Sequence, residues 1–213
     1  MFRRRKQQEP STDPAQSAEQ AAPAAEPPAG TGPFDVADVE IGDDPLRVDL
    51  GSLVVKAGPG LELQLQVDEA SQLVAAVMLV SQTGAVELRP FAAPRNEGIW
   101  DDVRKELAAE ATRRGGTASE MMGEYGKELH IVAPVTGPRG EQLRQPSRVI
   151  GIDGPRWMLR ATFFGSAASE PDSGGVLEQA LRDVVVVRGS APIPPRAPLP
   201  LRMPGNVQPM DLG

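Results

Sequence analysis

Cysteine is absent from the 213 residues. That removes disulfides, thiolate nucleophiles and zinc sites built on Cys, and it fits a reducing compartment. Histidine occurs once, as His130. A Ser-His-Asp or Cys-His arrangement therefore has a single base to draw on, and no G-x-S-x-G elbow holds a nucleophile for it. Neither G-x-x-x-x-G-K-[ST] nor G-x-G-x-x-G is present, so the familiar phosphate loops are excluded. No apolar run approaches the ~18 residues of a membrane-spanning helix. Beyond residue 32 the aromatics are Phe34, Phe91, Trp100, Tyr125, Trp157, Phe163 and Phe164. Of these few, Trp100 and Trp157 fall on predicted core faces, so the signal for a single-strand nucleic-acid face is weak.

What is present divides the chain into three parts. Residues 1–32 contain no Ile, Leu, Val, Trp or Tyr; such a segment buries too little apolar area to offset its ordering entropy and is expected to be a disordered tail. Its basic run, Arg3, Arg4, Arg5 and Lys6, resembles the n-region of a secretion signal, but no apolar h-region follows, so the expected location is the cytoplasm. The run offers at most weak, salt-screened contact with an anionic surface or nucleic acid; the plainer reading is a solubilising start. Residues 190–213 are proline-rich, at 192, 194, 195, 198, 200, 204 and 209. PRAP at 195–198 is a P-x-x-P, but the segment is also rich in aliphatics. It reads either as a flexible tail or as an ordered ribbon along its own domain, with Ile193, Leu199, Leu201 and Met203 as pegs; the aliphatics favour the ribbon. Residues 33–189 remain for a single domain with its own core.

The formal charge is −7. The first 32 residues net zero and the last 24 net +1, which leaves −8 on the middle. A duplex phosphate backbone repels such a domain unless its cations cluster, and no cluster is visible.

Strands are read from alternation. LELQLQVD (61–68) sends Leu61, Leu63, Leu65 and Val67 one way and Glu62, Gln64, Gln66 and Asp68 the other. GAVELRPF places Val86 and Leu88 inward, with Glu87 and Arg89 outward. GKELHIV places Leu129 and Ile131 inward, with Glu128 and His130 outward. LVAAVMLV (73–80) and VVVV (184–187) are apolar on both faces and predict inner strands; RVDLGSLVV (47–55) and SRVIGI (147–152) add further strands. Gly- and Pro-bearing turns at 58–60, 83–84, 137–140 and 153–155 separate them. A long helix is predicted from a cap at Asn96 to a stop at Gly115–Gly116, with Trp100, Val103, Leu107 and Ala111 on one face. A short helix follows, capped by Ser173 and bearing Val176, Leu177, Ala180 and Leu181. The order is not a strict βαβ alternation. It predicts an α+β fold: a mostly antiparallel β-sheet with one long and one short helix packed on it.

One residue interrupts this pattern. In DGPRWMLRATFFG (153–165) the mostly apolar run from Trp157 to Phe164 carries Arg160 near its middle. Alternation sends Trp157, Leu159, Ala161 and Phe163 to the core, and Met158, Arg160, Thr162 and Phe164 to a partly covered face. The Arg160 stem then lies along Met158 and Phe164, with Glu87 or Glu128 as its candidate partner. The competing reading makes Arg160 an anion hook. His130, on the polar side of its strand, is expected to be solvated or paired across strands. The acidic pairs Asp43–Asp44, Asp101–Asp102 and Glu170 with Asp172 each have a plain account as a turn, a helix start and a loop. PDSGG (171–175) precedes the short helix, where Asp172 is placed to cap the exposed N–H groups itself.

GPFD (33–36), VDLGSL (48–53), EGIWDDVR (97–104), DGPRWMLRATFFG (153–165) and LRDVVVVRG with its LPL close (181–201) together resemble an uncharacterised actinobacterial domain-of-unknown-function family, DUF3710-like. The resemblance leaves out the first 32 residues. It implies no catalytic residue and no cofactor. RWMLRATFFG, a short helix and a final strand also look like the Mog1/PsbP type of α/β/α sandwich, which is the alternative fold.

The functional expectation is a non-catalytic cytoplasmic interaction domain that binds another protein or itself, through an open sheet face or edge. The alternatives are a small-ligand binder or enzyme whose site the fold assembles, and a tether acting through Arg3–Lys6. Arg89, His130, Arg156 and Arg160 are the candidate contacts.

Overall fold

The structure is a computed structural model that describes residues 32–172 and 174–205. Eleven strands and three helices follow one another as β1 (Phe34–Asp35), β2 (Arg47–Asp49), β3 (Leu53–Lys56), β4 (Glu62–Val67), β5 (Val74–Val80), β6 (Gly84–Ala92), α1 (Trp100–Arg113), β7 (Thr117–Gly123), β8 (Gly126–Thr136), β9 (Gln142–Gly154), β10 (Trp157–Gly165), α2 (Ser166–Ser169), α3 (Val176–Arg182) and β11 (Val185–Val186). They form two sheets, one of seven strands in the order β4-β5-β6-β10-β9-β8-β7 and one of four in the order β1-β11-β3-β2. Every pairing in the large sheet is antiparallel, whereas β1 and β11 run parallel.

The fold is the expected α+β, a mostly antiparallel arrangement with α1 as its one long helix. Most of the large sheet is built from hairpins between consecutive strands. The exception is β6 with β10, which α1 makes possible by carrying the chain to the far edge. The alternation of β10 is realised: Trp157, Leu159, Ala161 and Phe163 are buried on the inner face, in one cluster with Leu53 of β3, Leu177 of α3 and Leu199 of the proline-rich segment. Each large side chain so buried stabilises the fold by roughly 1.5–3 kcal/mol. A second cluster, on the outer face, joins Trp100 and Ile99 to Leu129, Val149 and Met158. A small sheet and two short helices cover the inner face, where an α/β/α sandwich has a helical layer.

Several expectations are corrected. RVDLGSLVV is a hairpin rather than one strand, because Gly51 turns at φ 87 and its N–H is held by Asp49 Oδ1 at 2.8 Å. The long helix begins four residues later than Asn96. Its first N–H groups are taken by a carboxylate from another element: Asp153 of β9 accepts from Ile99 N at 2.9 Å and Trp100 N at 3.2 Å. Trp100, Val103, Leu107 and Ala111 do face the sheet, but Arg104 is also buried there, bonded to Asp101 and Glu120. Leu73 stands outside β5 and is 65% exposed. Gly175 is the N-terminal cap residue of α3; Ser173, Arg3–Lys6 and the expected tail up to residue 31 lie outside the described residues.

The two tryptophans lie on two glycines of β9. A Cβ on Gly151 would stand 2.1 Å from Trp100 Cδ2, and one on Gly154 2.1 Å from Trp157 Cζ2. The glycines are three apart, so they open opposite faces of the strand.

The proline-rich segment is an ordered ribbon as far as Gly205. Beyond the Val77–Leu88 pair β5 and β6 are no longer paired, and the ribbon enters there. Ala92 N donates to Ala197 O at 2.9 Å and Leu199 N to Pro90 O at 2.9 Å, while Leu201 bridges both Val74 and Gly51. Leu199 and Leu201 are buried and Ile193 half-buried, as pegs should be, but Met203 is exposed.

Candidate functional site

The outer face of the large sheet is covered unevenly. α1 packs on β7, β8 and β9 and reaches Met158 of β10 through Trp100, and it leaves most of the β4-β5-β6-β10 half uncovered. Pairing registers put Gln64, Met78, Glu87 and Thr162 in one row of that half and Arg89 and Arg160 in the next, where a hydrogen bond brings Gln66 to Arg89.

Arg89 and Arg160 are directly opposite each other across β6 and β10. Glu87 takes two hydrogen bonds from Arg89, Nε to Oε1 at 2.8 Å and Nη2 to Oε2 at 3.1 Å; Gln66 Oε1 takes a third at 3.3 Å. Arg160 reaches the same carboxylate only at 3.9 Å, through Nη2. Its guanidinium carbon lies 5.4 Å from the centre of the Phe91 ring, a cation–π contact of modest strength. Arg160 Nε is buried without a hydrogen-bond partner among the described residues. Burial, and then the charge of Arg89, hold this guanidinium below the usual arginine value, while Glu87 pulls it back up. Two cations thus share one carboxylate. Side chains of both remain partly exposed, at 33% for Arg89 and 20% for Arg160.

Beside them a cleft of about 420 Å³ opens where the ribbon enters between β5 and β6. Leu73, Val74, Phe91, Leu199 and Leu201 supply its apolar lining; Arg89, Asp68 and Ser71 supply the polar part. The volume falls in the usual range of ligand pockets, and an apolar lining with a few convergent polar groups is their usual chemistry.

The four candidate contacts therefore separate. Arg89 and Arg160 come together. Arg156 stands apart in the β9–β10 turn at φ 65, with its carbonyl accepting from Ala93 N and Arg188 Nε. His130 lies on the opposite face; the expectation that Glu128 points to water is wrong, and His130 is half-buried and paired within its own strand rather than across strands. α1 covers the Leu129 side of β8, and on the other side Arg148 of β9 stands between Glu128 and Glu178 of α3. There Glu128, 6% exposed, holds His130 Nε2 at 2.7 Å. Arg148, 5% exposed, bonds Glu178 Oε1 at 2.6 Å and the Ala167 carbonyl at 3.2 Å, and stacks 4.2 Å from Phe163. This network ties α2 and α3 to the sheet. Among the described residues, no group of three or more His, Asp or Glu side chains converges as metal ligands would.

Sequence reasoning named Arg89, Arg160 and Glu87 but missed the cleft. Its walls come from positions between 68 and 201, and only the strand order joins them. It also missed Arg148 and Glu178, because E-x-H on an alternating strand carries the signature of a wet face.

A family described as a protein of unknown function, DUF3710, matches residues 32–210. No curated protein matches the chain. A crystal structure from Bacteroides thetaiotaomicron VPI-5482, at 1.50 Å resolution, aligns with a TM-score of 0.36 and 8% identity over 63% of this chain. The aligned part spans 45% of that chain, under half its length.

Proposed function

This chain belongs to the DUF3710 family of proteins of unknown function, and on that premise we propose that it is a non-catalytic cytoplasmic binding domain that docks a partner protein on the open half of its large sheet. One observation carries the reading: α1 covers chiefly the β7–β9 half of the outer face and reaches β10 only at Met158, leaving Arg89, Glu87 and Arg160 partly exposed beside an apolar cleft that Phe91 lines. Exposed Leu73 and Val67 flank that half, and an apolar centre with arginine and aromatic residues at hand is the composition of a binding hot spot.

The test is a photo-crosslinking amino acid placed at Thr162, in the open half, and in a second protein at Lys105, on the exposed side of α1. The reading expects one discrete crosslinked partner from Thr162 and not from Lys105, with the protein itself monomeric by light scattering. Crosslinking only to a second copy makes the face a self-association surface, and equal crosslinking from both positions overturns the assignment of the face.

A further inference from the structure

Resting on the docking face proposed above, we infer that the partner enters the cleft with an acidic side chain next to a large apolar one, the carboxylate lying between Arg89 and Arg160 and the apolar group between Leu73 and Leu199. Three observations lead there. The first is charge. Two guanidinium groups face each other with Glu87 as the one carboxylate paired to either among the described residues. Like charges directly opposite in a ladder destabilise it, and a second carboxylate relieves them.

The second is desolvation. Arg160 is the worse served of the two: its Nε is buried and unpartnered, and its nearest carboxylate oxygen is 3.9 Å away. A cation whose loss of water is not offset within its own chain gains more from an incoming anion than one already bonded at 2.8 Å, as Arg89 is. A planar guanidinium also favours a carboxylate over a neutral amide, through paired N–H donors.

The third is the cleft. Arg89 and Phe91 both line it, and Phe91 also lies under the Arg160 guanidinium. Charge and apolar wall are therefore adjacent, which fixes the order of chemistry in the occupant. The occupant is a protein segment because the cleft shares Arg89 with the open half-sheet, where Gln64, Met78 and Thr162 form the adjoining row.

The probe is a fluorescein-labelled array of decapeptides in an Ala–Ser–Gly background. Each carries one Leu and one Glu at separations of one to three residues, with Gln counterparts, measured by anisotropy against the full chain. The inference expects the best Glu peptide to bind at least about tenfold more tightly than its Gln twin. Arg160→Gln and Arg89→Gln should each remove that preference, and Leu73→Ser should weaken Glu and Gln peptides alike. Leu73 is exposed, so its replacement leaves folding intact. Arg160→Lys, which keeps the charge, serves as the folding control and should retain part of the preference. Equal binding of Glu and Gln peptides overturns the inference, as does octanoate binding more tightly than every peptide. If the peptides fail to discriminate while Thr162 still crosslinks its partner, the acidic anchor alone is wrong; if Thr162 also captures nothing, the docking face is wrong.

Discussion

Arg89 and Arg160 stand opposite each other on neighbouring strands, and Glu87 supplies the carboxylate they share. Both guanidinium groups depend on that carboxylate as their counter-charge. Glu87→Gln is therefore expected to cost about 1–3 kcal/mol, below the 3–5 typical of a fully buried pair because both arginines reach solvent. In an Arg160→Met background the same change should cost at least about 1 kcal/mol less, since only one cation is left to neutralise. Urea unfolding of the four proteins measures the coupling, and strict additivity would sink the account.

The carboxylate of Asp153 takes the first two free N–H groups of α1 from a strand rather than from the helix's own chain. Asp153→Ala should cost about 1–2 kcal/mol, as loss of a cap does. Asn96→Ala, at the position the sequence suggests as the cap, should stay within about 0.5 kcal/mol. Denaturation followed by far-ultraviolet circular dichroism separates the two; a larger cost at Asn96 reverses the assignment.

Gly151 and Gly154 each leave room for an indole. Alanine at either position must displace a tryptophan or bend β9, at about 1–3 kcal/mol. The near-ultraviolet dichroism should change through Trp100 for Gly151→Ala and through Trp157 for Gly154→Ala. A Trp100→Phe background distinguishes them: the Gly151→Ala change should then be largely lost and the Gly154→Ala change kept.

Arg148 bonds Glu178 and lies 3.6 Å from Glu128, so it neutralises carboxylates that have little access to water. Arg148→Met should cost about 3–5 kcal/mol. Adding Glu178→Leu should recover about 1 kcal/mol or more, because one stranded charge is then gone. Guanidinium unfolding at neutral pH tests this, and a double variant less stable than Arg148→Met contradicts it.

Glu124 at the β7–β8 turn is hydrogen-bonded to Arg182 of α3, which holds its carboxyl below the ordinary glutamate value. The fold thus favours the charged form. Its contribution is complete above the unfolded value of about 4.3 and is lost as pH falls through the depressed folded value. Glu124→Gln should be less stable than the parent by about 0.5–1 kcal/mol at pH 7, the range for a solvent-screened pair. The gap should narrow below about pH 4. Thermal melts across pH 3–7 follow it, and a gap that widens towards acid refutes the sign.

The strands were legible because alternation is local: β4, β6 and β10 follow from the order of their own side chains. The β8 error shows the limit of that signal. Alternation says which residues share a face but not whether the face is wet, and Glu128 is buried beside Arg148, which Glu178 of α3, far along the chain, holds. The cap of α1 was misread for the same reason. Asn96 has the right chemistry nearby in sequence, while Asp153 has it nearby in space. For the site, composition and strand position sufficed to single out Arg89 and Arg160, but their direct opposition depends on β6 pairing with β10 across the whole α1 excursion. The ribbon was legible in part, since its aliphatics marked Leu199 and Leu201 as buried; which fork it fills was not.

β1 and β11 lie side by side, although they stand at positions 34–35 and 185–186. The seven strands from β4 to β10 are complete by Gly165, yet Leu50, Leu53 and Val55 keep their cover only after β11 and the ribbon arrive. A chain folded only as far as Gly165 therefore still shows these aliphatics to solvent, and β11 and the ribbon hide them. A variant ending at Gly165 should therefore expose an apolar patch, because the small sheet closes only when segments far apart in the chain meet.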